Sequence, residues 1–266
     1  MKVLSTTINE DLLSIKERDY LSQFPEKTDL KIQHLFDELD LAWNSAFQGA
    51  NDDLCVDALT KFYSHPVWIL NGIFSSVDPV SLGHRIAIAE QICRLNPYSV
   101  VDYGGGLGEL SIQIAKLNSS IAINIVEPYP TNLMKSRILN FGNITHLSKL
   151  PEAYDLIVAQ DVLEHVKNPI ELSLSLISNL NKGGYIIFAN CFFPLIKCHL
   201  SETFYLRYTF SFIMKFAGLK KISHINNASH AIIFRKDGLP RHNLLAVVNA
   251  IAKFIGPTIN LLRRVT

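Results

Sequence analysis

The chain has 266 residues, 48% of them hydrophobic and 18% charged, enough apolar material for a sizeable core and too much for a disordered chain. Its 25 Lys and Arg against 24 Asp and Glu leave a net charge of +1, which argues against a broad nucleic-acid surface. The four cysteines, Cys55, Cys93, Cys191 and Cys198, form no C-x-x-C pair and no zinc spacing, so they read as free buried thiols of a reducing cytosol.

Met1-Lys2-Val3-Leu4-Ser5 runs quickly into acids and polar residues, without a signal-peptide pattern. No apolar run reaches the ~18–20 residues that span a bilayer. Residues 1–78 hold no glycine-rich strand turn. Ile32, Leu35, Phe36 and Leu39 recur at helical spacing, followed by Trp43 and Phe47, which predicts a mostly helical appendage. It either shapes a substrate pocket or only covers one side of a sheet. Tyr63 and Trp68 are assigned to the core. Asp78-Pro79 predicts a helix start, with Asp78 as N-cap, carrying Ile86, Ala89, Ile92 and Cys93 inward and stopping before Pro97. Its His84-Arg85 pair is either a solvated face or a wall of the active site.

Val100-Val101-Asp102-Tyr103-Gly104-Gly105-Gly106-Leu107-Gly108 follows. The reading is strand, tight glycine turn, then a helix carrying Leu110, Ile112, Ile114, Ala115 and Leu117. Glycine permits positive φ and a close approach of ligand to backbone, and the first helix amides need a partner. The spacing is Asp-x-Gly-x-Gly-x-Gly rather than G-x-G-x-x-G. An acid ending the strand repels a pyrophosphate and accepts hydrogen bonds from a cationic amino-acid end. At these residues the chain resembles the class I S-adenosylmethionine-dependent methyltransferases.

The resemblance continues downstream. Ile121–Glu127 reads as a second strand ending in an acid, and the resemblance implies that Glu127 holds the ribose hydroxyls. Pro128-Tyr129-Pro130 breaks the strand and starts a helix with Leu133, Ile138 and Leu139; Tyr129 either stacks beside an adenine or packs on that helix. Asn143–Leu147 is a short third strand. Many relatives carry an Asp just after it, where this chain has Ser148 and Lys149. Tyr154–Ala159 is a fourth strand running into Gln160-Asp161-Val162-Leu163-Glu164-His165-Val166, similar to the segment where relatives bring cofactor and methyl acceptor together. Asn168-Pro169 opens a helix with Leu172, Leu176, Ile177 and Leu180. Asn181–Phe188 is similar to the family's glycine turn into a fifth strand, which ends near Ala189-Asn190.

The resemblance implies that Asp102, Gly104 and Gly106 hold the methionine end of S-adenosylmethionine, with Gly108 supporting the turn and Gln160 and Asp161 lining the cofactor edge. His165 is a base candidate because imidazole titrates near neutral pH; the other reading is a structural histidine. Asp161, Glu164 and His165 also resemble metal-binding segments of some ubiquinone-pathway and small-RNA methyltransferases. No second ligand pair accompanies them, so no metal ligand is assigned.

Cys191–Ser201 is an apolar, irregular insert leaving the carboxyl end of a strand, where open α/β sheets bind ligands. It is the expected substrate wall or lid, with His199 as a second base candidate. Ser201-Glu202-Thr203 is expected to cap a helix running to about Ala217. Leu219–Asn226 and Ser229–Arg235 predict a late hairpin. From Leu239 an apolar helix face runs through Leu244, Leu245, Val247, Val248, Ile251, Phe254 and Ile255, interrupted at Gly256-Pro257, before Leu261-Leu262-Arg263-Arg264. It either docks on its own domain or serves as a peripheral membrane or homo-oligomer contact.

The fold class expected is α/β: a Rossmann-like seven-stranded, mostly parallel sheet with a final antiparallel hairpin. A helical appendage occupies 1–78, the methyltransferase domain 79–236 with an insert near 191–217, and an amphipathic helical tail 237–266. The function expected is cytoplasmic transfer of a methyl from S-adenosylmethionine to a small molecule or biosynthetic intermediate by in-line displacement. The alternative is a non-catalytic scaffold on the same fold.

Overall fold

Val100 and Val101 are β-branched, fully buried and followed by a buried acid, and they form the middle of β3 (Ser99–Tyr103). The computed structural model describes residues 1–26, 29–49, 55–150 and 153–263. β3 pairs in parallel with β4 (Ala122–Val126) on one side and β6 (Tyr154–Gln160) on the other. β5 (Ile144–Leu147) extends the sheet beyond β4, and β7 (Leu180–Ala189) lies beyond β6, reached through α8 (Pro169–Ser178). β9 (Ala228–Lys236) and β8 (Leu219–Ile225) add an antiparallel hairpin, giving the order β5-β4-β3-β6-β7-β9-β8. Successive strands step outward from β3 in opposite directions, so a crevice opens at the carboxyl ends of β3 and β6. The central strands are buried on both faces, as parallel strands covered by helices must be.

α5 (Pro79–Leu95) begins with Asp78 Oδ2 accepting from Ser81 N at 2.8 Å. It buries Ala87, Ile88, Ala89 and Ile92, whereas the expected inward Ile86 is exposed. The helical phase set by the Ile88–Ile92 pair turns Ile86 outward. α6 (Glu109–Leu117) packs beside α5, with Leu117 at its end exposed. α7 (Asn132–Ile138), capped by Thr131, leaves Leu139 outside the helix and exposed.

Residues 1–78 are mostly helical. A short ribbon, β1 (Lys2–Val3) with β2 (Thr6–Thr7), precedes α1 (Ile15–Leu21), α2 (Ile32–Phe47), α3 (Val56–Tyr63) and α4 (Val67–Val77). Val3, Leu35, Phe62 and Leu70 belong to the same buried apolar cluster as Ile88, Ile114 and Ile125. A second cluster fills the other face of the sheet, around Ile157, Phe188, Phe210 and Phe234.

Local expectations change in the last third. The segment after the insert is a 3-10 turn at Ser201–Thr203, and α9 spans Leu206–Phe216 with no side-chain cap; Thr203 Oγ1 instead bonds back to Leu200 O at 2.7 Å. α10 (His242–Leu262) runs unbroken through Pro257. Gly256 lies so close to Tyr205 that an added Cβ would sit 2.8 Å from its Cβ and carbonyl oxygen, so packing on α9 holds the turn that Pro257 weakens. That continuity creates a helix long and apolar enough, by length and composition, to cross a membrane, which the broken run in the sequence conceals. Arg264 lies outside the described residues.

Candidate active site

The glycine turn after β3 adopts the backbone its sequence asks for. Gly104, Gly106 and Gly108 have φ of +73°, +55° and +77°, a region that L side chains enter only under strain. Gly104 N donates to Val126 O and Gly108 N to Gly105 O, both at 2.8 Å. An added Cβ at Gly104 would lie 2.6 Å from Val162, while at Gly106 nothing lies within 4 Å. The turn therefore presents bare backbone to open space at Gly106.

Asp102 is 2% exposed and accepts from Ser111 Oγ at 2.7 Å. Burial pushes its carboxyl up to about 6, against the Ser111 hydrogen bond and the positive charge of Arg85. Glu127 leaves the end of β4 and ties two turns together. Its Oε2 accepts from Gly106 N and its Oε1 from Tyr129 N, each at 2.9 Å. The structure thus brings Asp102, Gly104, Gly106, Gly108 and Glu127 to one crevice. Gln160 and Asp161 stand across it at the end of β6. Asp161 adopts φ +55°, its N donates to Ala189 O at 2.7 Å, and its exposed carboxylate accepts from Gln160 Nε2 at 3.3 Å. A non-glycine residue in that region is tolerated best when it is Asp or Asn.

Below this edge the chain makes a polar cluster in an apolar wall. Glu164 is fully buried. Its Oε1 accepts from Cys191 N at 2.7 Å, and its Oε2 has no hydrogen-bond partner among the described residues. Burial, followed by the negative charge of Asp161, pushes Glu164 up to about 8. His165 Nδ1 lies 3.0 Å from Cys198 O, and His199 Nδ1 lies 2.9 Å from Phe193 O. A carbonyl only accepts, so both Nδ1 atoms carry hydrogen and both Nε2 atoms keep a lone pair. Burial, with His199 alongside, pushes His165 down to about 3. Burial lowers His199 too, while Phe193 O, Asp161 and Asp40 act the other way. Glu164, His165 and His199 each offer a donor atom, all within 4.8 Å of one another. Two neutral imidazoles and a carboxyl group that would release its proton on ligation suit a divalent transition-metal ion. The trio read from sequence changes accordingly: His199 joins from the insert, and Asp161 is not in the set.

Three helices of residues 1–78 reach this cluster, the insert and the glycine turn. Tyr63 Oη donates to His165 O at 3.4 Å, and its ring stacks on Tyr129 with centroids 5.6 Å apart. The Trp68 ring meets His165 edge-on at 6.0 Å. Tyr63 and Trp68 pack against the main apolar cluster, as the core assignment expects, and also border His165; Tyr129 is a stacked residue. Lys197 N donates to Asp40 Oδ1 at 2.7 Å and Lys197 Nζ to Asn44 Oδ1 at 2.6 Å, so α2 holds the insert. Gly72 of α4 packs on the glycine turn: a Cβ there would lie 2.4 Å from Leu107 Cγ. Gly72 was missed because a lone glycine in an apolar helix carries no motif. His84 belongs to a further cluster, its ring 4.7 Å from that of His230.

Residues 79–222 match the family described as "Methyltransferase domain". Among curated proteins, the ubiquinone biosynthesis O-methyltransferase of Nitrosomonas europaea is 27% identical over 155 residues, covering 52% of this chain and 65% of that protein. The protein of that name from Aliivibrio fischeri is 25% identical over 134 residues, 46% of this chain and 56% of its own. The chain therefore spans between half and two thirds of the length of these relatives. Human N-acetylserotonin methyltransferase, solved in complex with SAM, shares the fold with a TM-score of 0.55 at 17% identity, over 77% of this chain and 67% of that one.

Proposed function

The chain belongs to the methyltransferase-domain family, and on that premise we propose that it transfers the methyl group of S-adenosylmethionine to a small-molecule acceptor. The observation that carries this reading is the pair of acid-ended strands in register, Asp102 beside Ile125 and Tyr103 beside Val126, with Glu127 bonded to the amide of Gly106 over open space. A cofactor with a cationic amino-acid end and a ribose suits those two acids. When bound it supplies a methyl already activated by its positive sulfur. The protein aligns the acceptor in line with the bond that breaks and excludes water. Asp102, Gly104, Gly106 and Gly108 are assigned to the methionine end, Glu127 to the ribose, and Gln160 and Asp161 to the cofactor edge.

The relatives' names favour a hydroxyl oxygen as acceptor, and such an acceptor loses a proton. His165 and His199 both hold Nε2 lone pairs toward the cluster. His199 is the better proton acceptor of the two, because the charges of Asp161 and Asp40 oppose its desolvation. A second reading, favoured by the unpartnered Glu164 Oε2 and the two lone pairs, is that Glu164, His165 and His199 hold a divalent cation that positions the acceptor oxygen. We take residues 79–236 as the catalytic unit and 1–78 as the appendage that completes its wall. The four cysteines are free, Cys198 buried and the other three only half-buried rather than buried as expected; free thiols suit a reducing compartment, and we place the protein in the cytoplasm.

Calorimetric titration with S-adenosylhomocysteine, with NAD as control, tests the assignment. The expected result is micromolar binding of the first alone, weakened about tenfold or more in Asp102→Ala and in Glu127→Ala, as loss of a charge-assisted hydrogen bond requires. Binding of neither ligand would move the protein to the scaffold reading. A cation at the cluster predicts that chelation lowers activity, that a divalent ion restores it, and that His199→Ala abolishes the restoration while leaving S-adenosylhomocysteine affinity unchanged.

A further inference from the structure

The net charge of +1 conceals a division along the chain. Residues 203–266 carry ten of the 25 Lys and Arg but only Asp237 of the 24 Asp and Glu, so this segment stands at +9 and residues 1–202 at −8, with His neutral. Neither α9 nor α10 contains an acid. Arg207, Lys215, Lys253 and Arg263 lie over the rings of Tyr208, Phe212, Tyr205 and Tyr208, so these cations belong to the layer that the two helices form.

The same layer exposes an apolar stripe. α10 docks on α9 through Leu245, Ala252 and Gly256. Tyr205 Oη bonds Asn249 at 2.7 Å, and Asn260 Nδ2 bonds Phe204 O at 2.8 Å. Leu244, Val247, Ile251, Phe254, Ile255 and Leu262 are all exposed, Phe254 by 86%. At 3.6 residues per turn they fall within an arc of about 100°, turned away from the docked face. A helix that merely packs on its own domain points its apolar face inward and its polar face outward; here a second apolar face points out, with Arg263 and Lys253 about 80° and 100° round the helix from its two edges.

We propose that the α9–α10 layer is a docking surface for a negatively charged phospholipid bilayer, with α10 lying in the plane of the interface. An exposed apolar stripe on a layer that carries Lys and Arg but no acid on either helix is complementary to an anionic lipid surface. A second copy of this face would bring two strongly positive surfaces together, which like-charge repulsion opposes. A spanning arrangement would strip α10 from Tyr205 and Phe204 and bury Asn249, Lys253 and Asn260 in hydrocarbon. The inference is independent of the methyl-transfer reading.

Flotation of the full chain with vesicles tests it, comparing phosphatidylcholine alone with an equal mixture of phosphatidylcholine and phosphatidylglycerol. The expected result is flotation with the mixed vesicles only, weakened by salt and released by alkaline carbonate. Ile251→Asp/Phe254→Asp and Lys253→Glu/Arg263→Glu should each lower the partition coefficient roughly tenfold or more, the first with an unchanged circular dichroism melting curve because Ile251 and Phe254 are exposed. Absence of flotation, equal flotation with neutral vesicles, or retention through carbonate would overturn the proposal. So would a dimer in sedimentation equilibrium that Ile251→Asp/Phe254→Asp converts to monomer, which would assign the face to a second copy.

Discussion

Glu164 is a carboxyl that folding keeps from ionising. Its value rises from 4.5 to about 8 on burial, so the folded state holds the proton over a pH range where the unfolded chain has released it. The stability this contributes is complete below pH 4.5 and is lost as pH rises toward 8. Glu164→Gln removes that dependence, so its melting temperature should rise relative to the parent between pH 5 and pH 8, by roughly 2–4 °C per kcal/mol. His165 works in the other direction. Its value falls from 6.5 to about 3, so its contribution is present above pH 6.5 and is lost as pH falls toward 3. The glycine turn offers a separate comparison. Gly106→Ala meets nothing within 4 Å, whereas Gly104→Ala meets Val162 at 2.6 Å. The first should cost roughly 1 kcal/mol for its positive φ, and the second more by about the 1–3 kcal/mol of overpacking, measured by urea denaturation.

At the scale of elements, two contacts couple the appendage to the site. α4 places Gly72 against Leu107 inside the glycine turn. Gly72→Ala should push Leu107 and shift the turn, weakening S-adenosylhomocysteine binding about tenfold although residue 72 touches no ligand; unchanged affinity by calorimetry would refute the coupling. α2 holds the insert through Asp40 and Asn44. Asp40→Ala leaves Lys197 N without its carboxylate, a loss of roughly 1.5–3 kcal/mol for a bond to a charged group. Limited proteolysis should then cleave within 191–201 well before the parent is cut, with the helices of the appendage still intact by circular dichroism.

Across the whole molecule, the appendage and the sheet share one apolar cluster. Deleting residues 1–78 would uncover Ile88, Ile92, Ile114 and their neighbours. Each large side chain returned to water costs about 1.5–3 kcal/mol, and a few of them equal the roughly 5–15 kcal/mol by which a domain is stable. The expected outcome is a single cooperative thermal transition for the parent and an aggregating or molten product for the truncated chain. Deletion of 239–266 should be milder, since α10 buries few residues, but it would expose Tyr205, which precedes α9 and packs on Gly256.

Much of the site is legible in the residues alone. An acid closing a β-branched strand, glycines at alternate positions and a second acid-ended strand specify backbone geometry and charge locally, so Asp102, the glycines and Glu127 stand together as the spacing predicts. The closing hairpin follows from two strand-like runs joined by a short turn, whereas the order of the strands in the sheet is implied by the family resemblance and not by local periodicity. Other features depend on residues far apart in sequence. Tyr63, Trp68 and Gly72 gain their roles only because α3 and α4 fold back over the crevice, and His199 meets Glu164 and His165 only because α2 pins the insert. The continuity of α10 through Pro257 rests on packing against Tyr205, which no local propensity encodes. The sequence by itself determined the crevice and its charges, because turns and strands are set by neighbours in the chain. The tertiary structure decided what lines and closes it, because a side chain's partner across space is chosen by how whole elements pack.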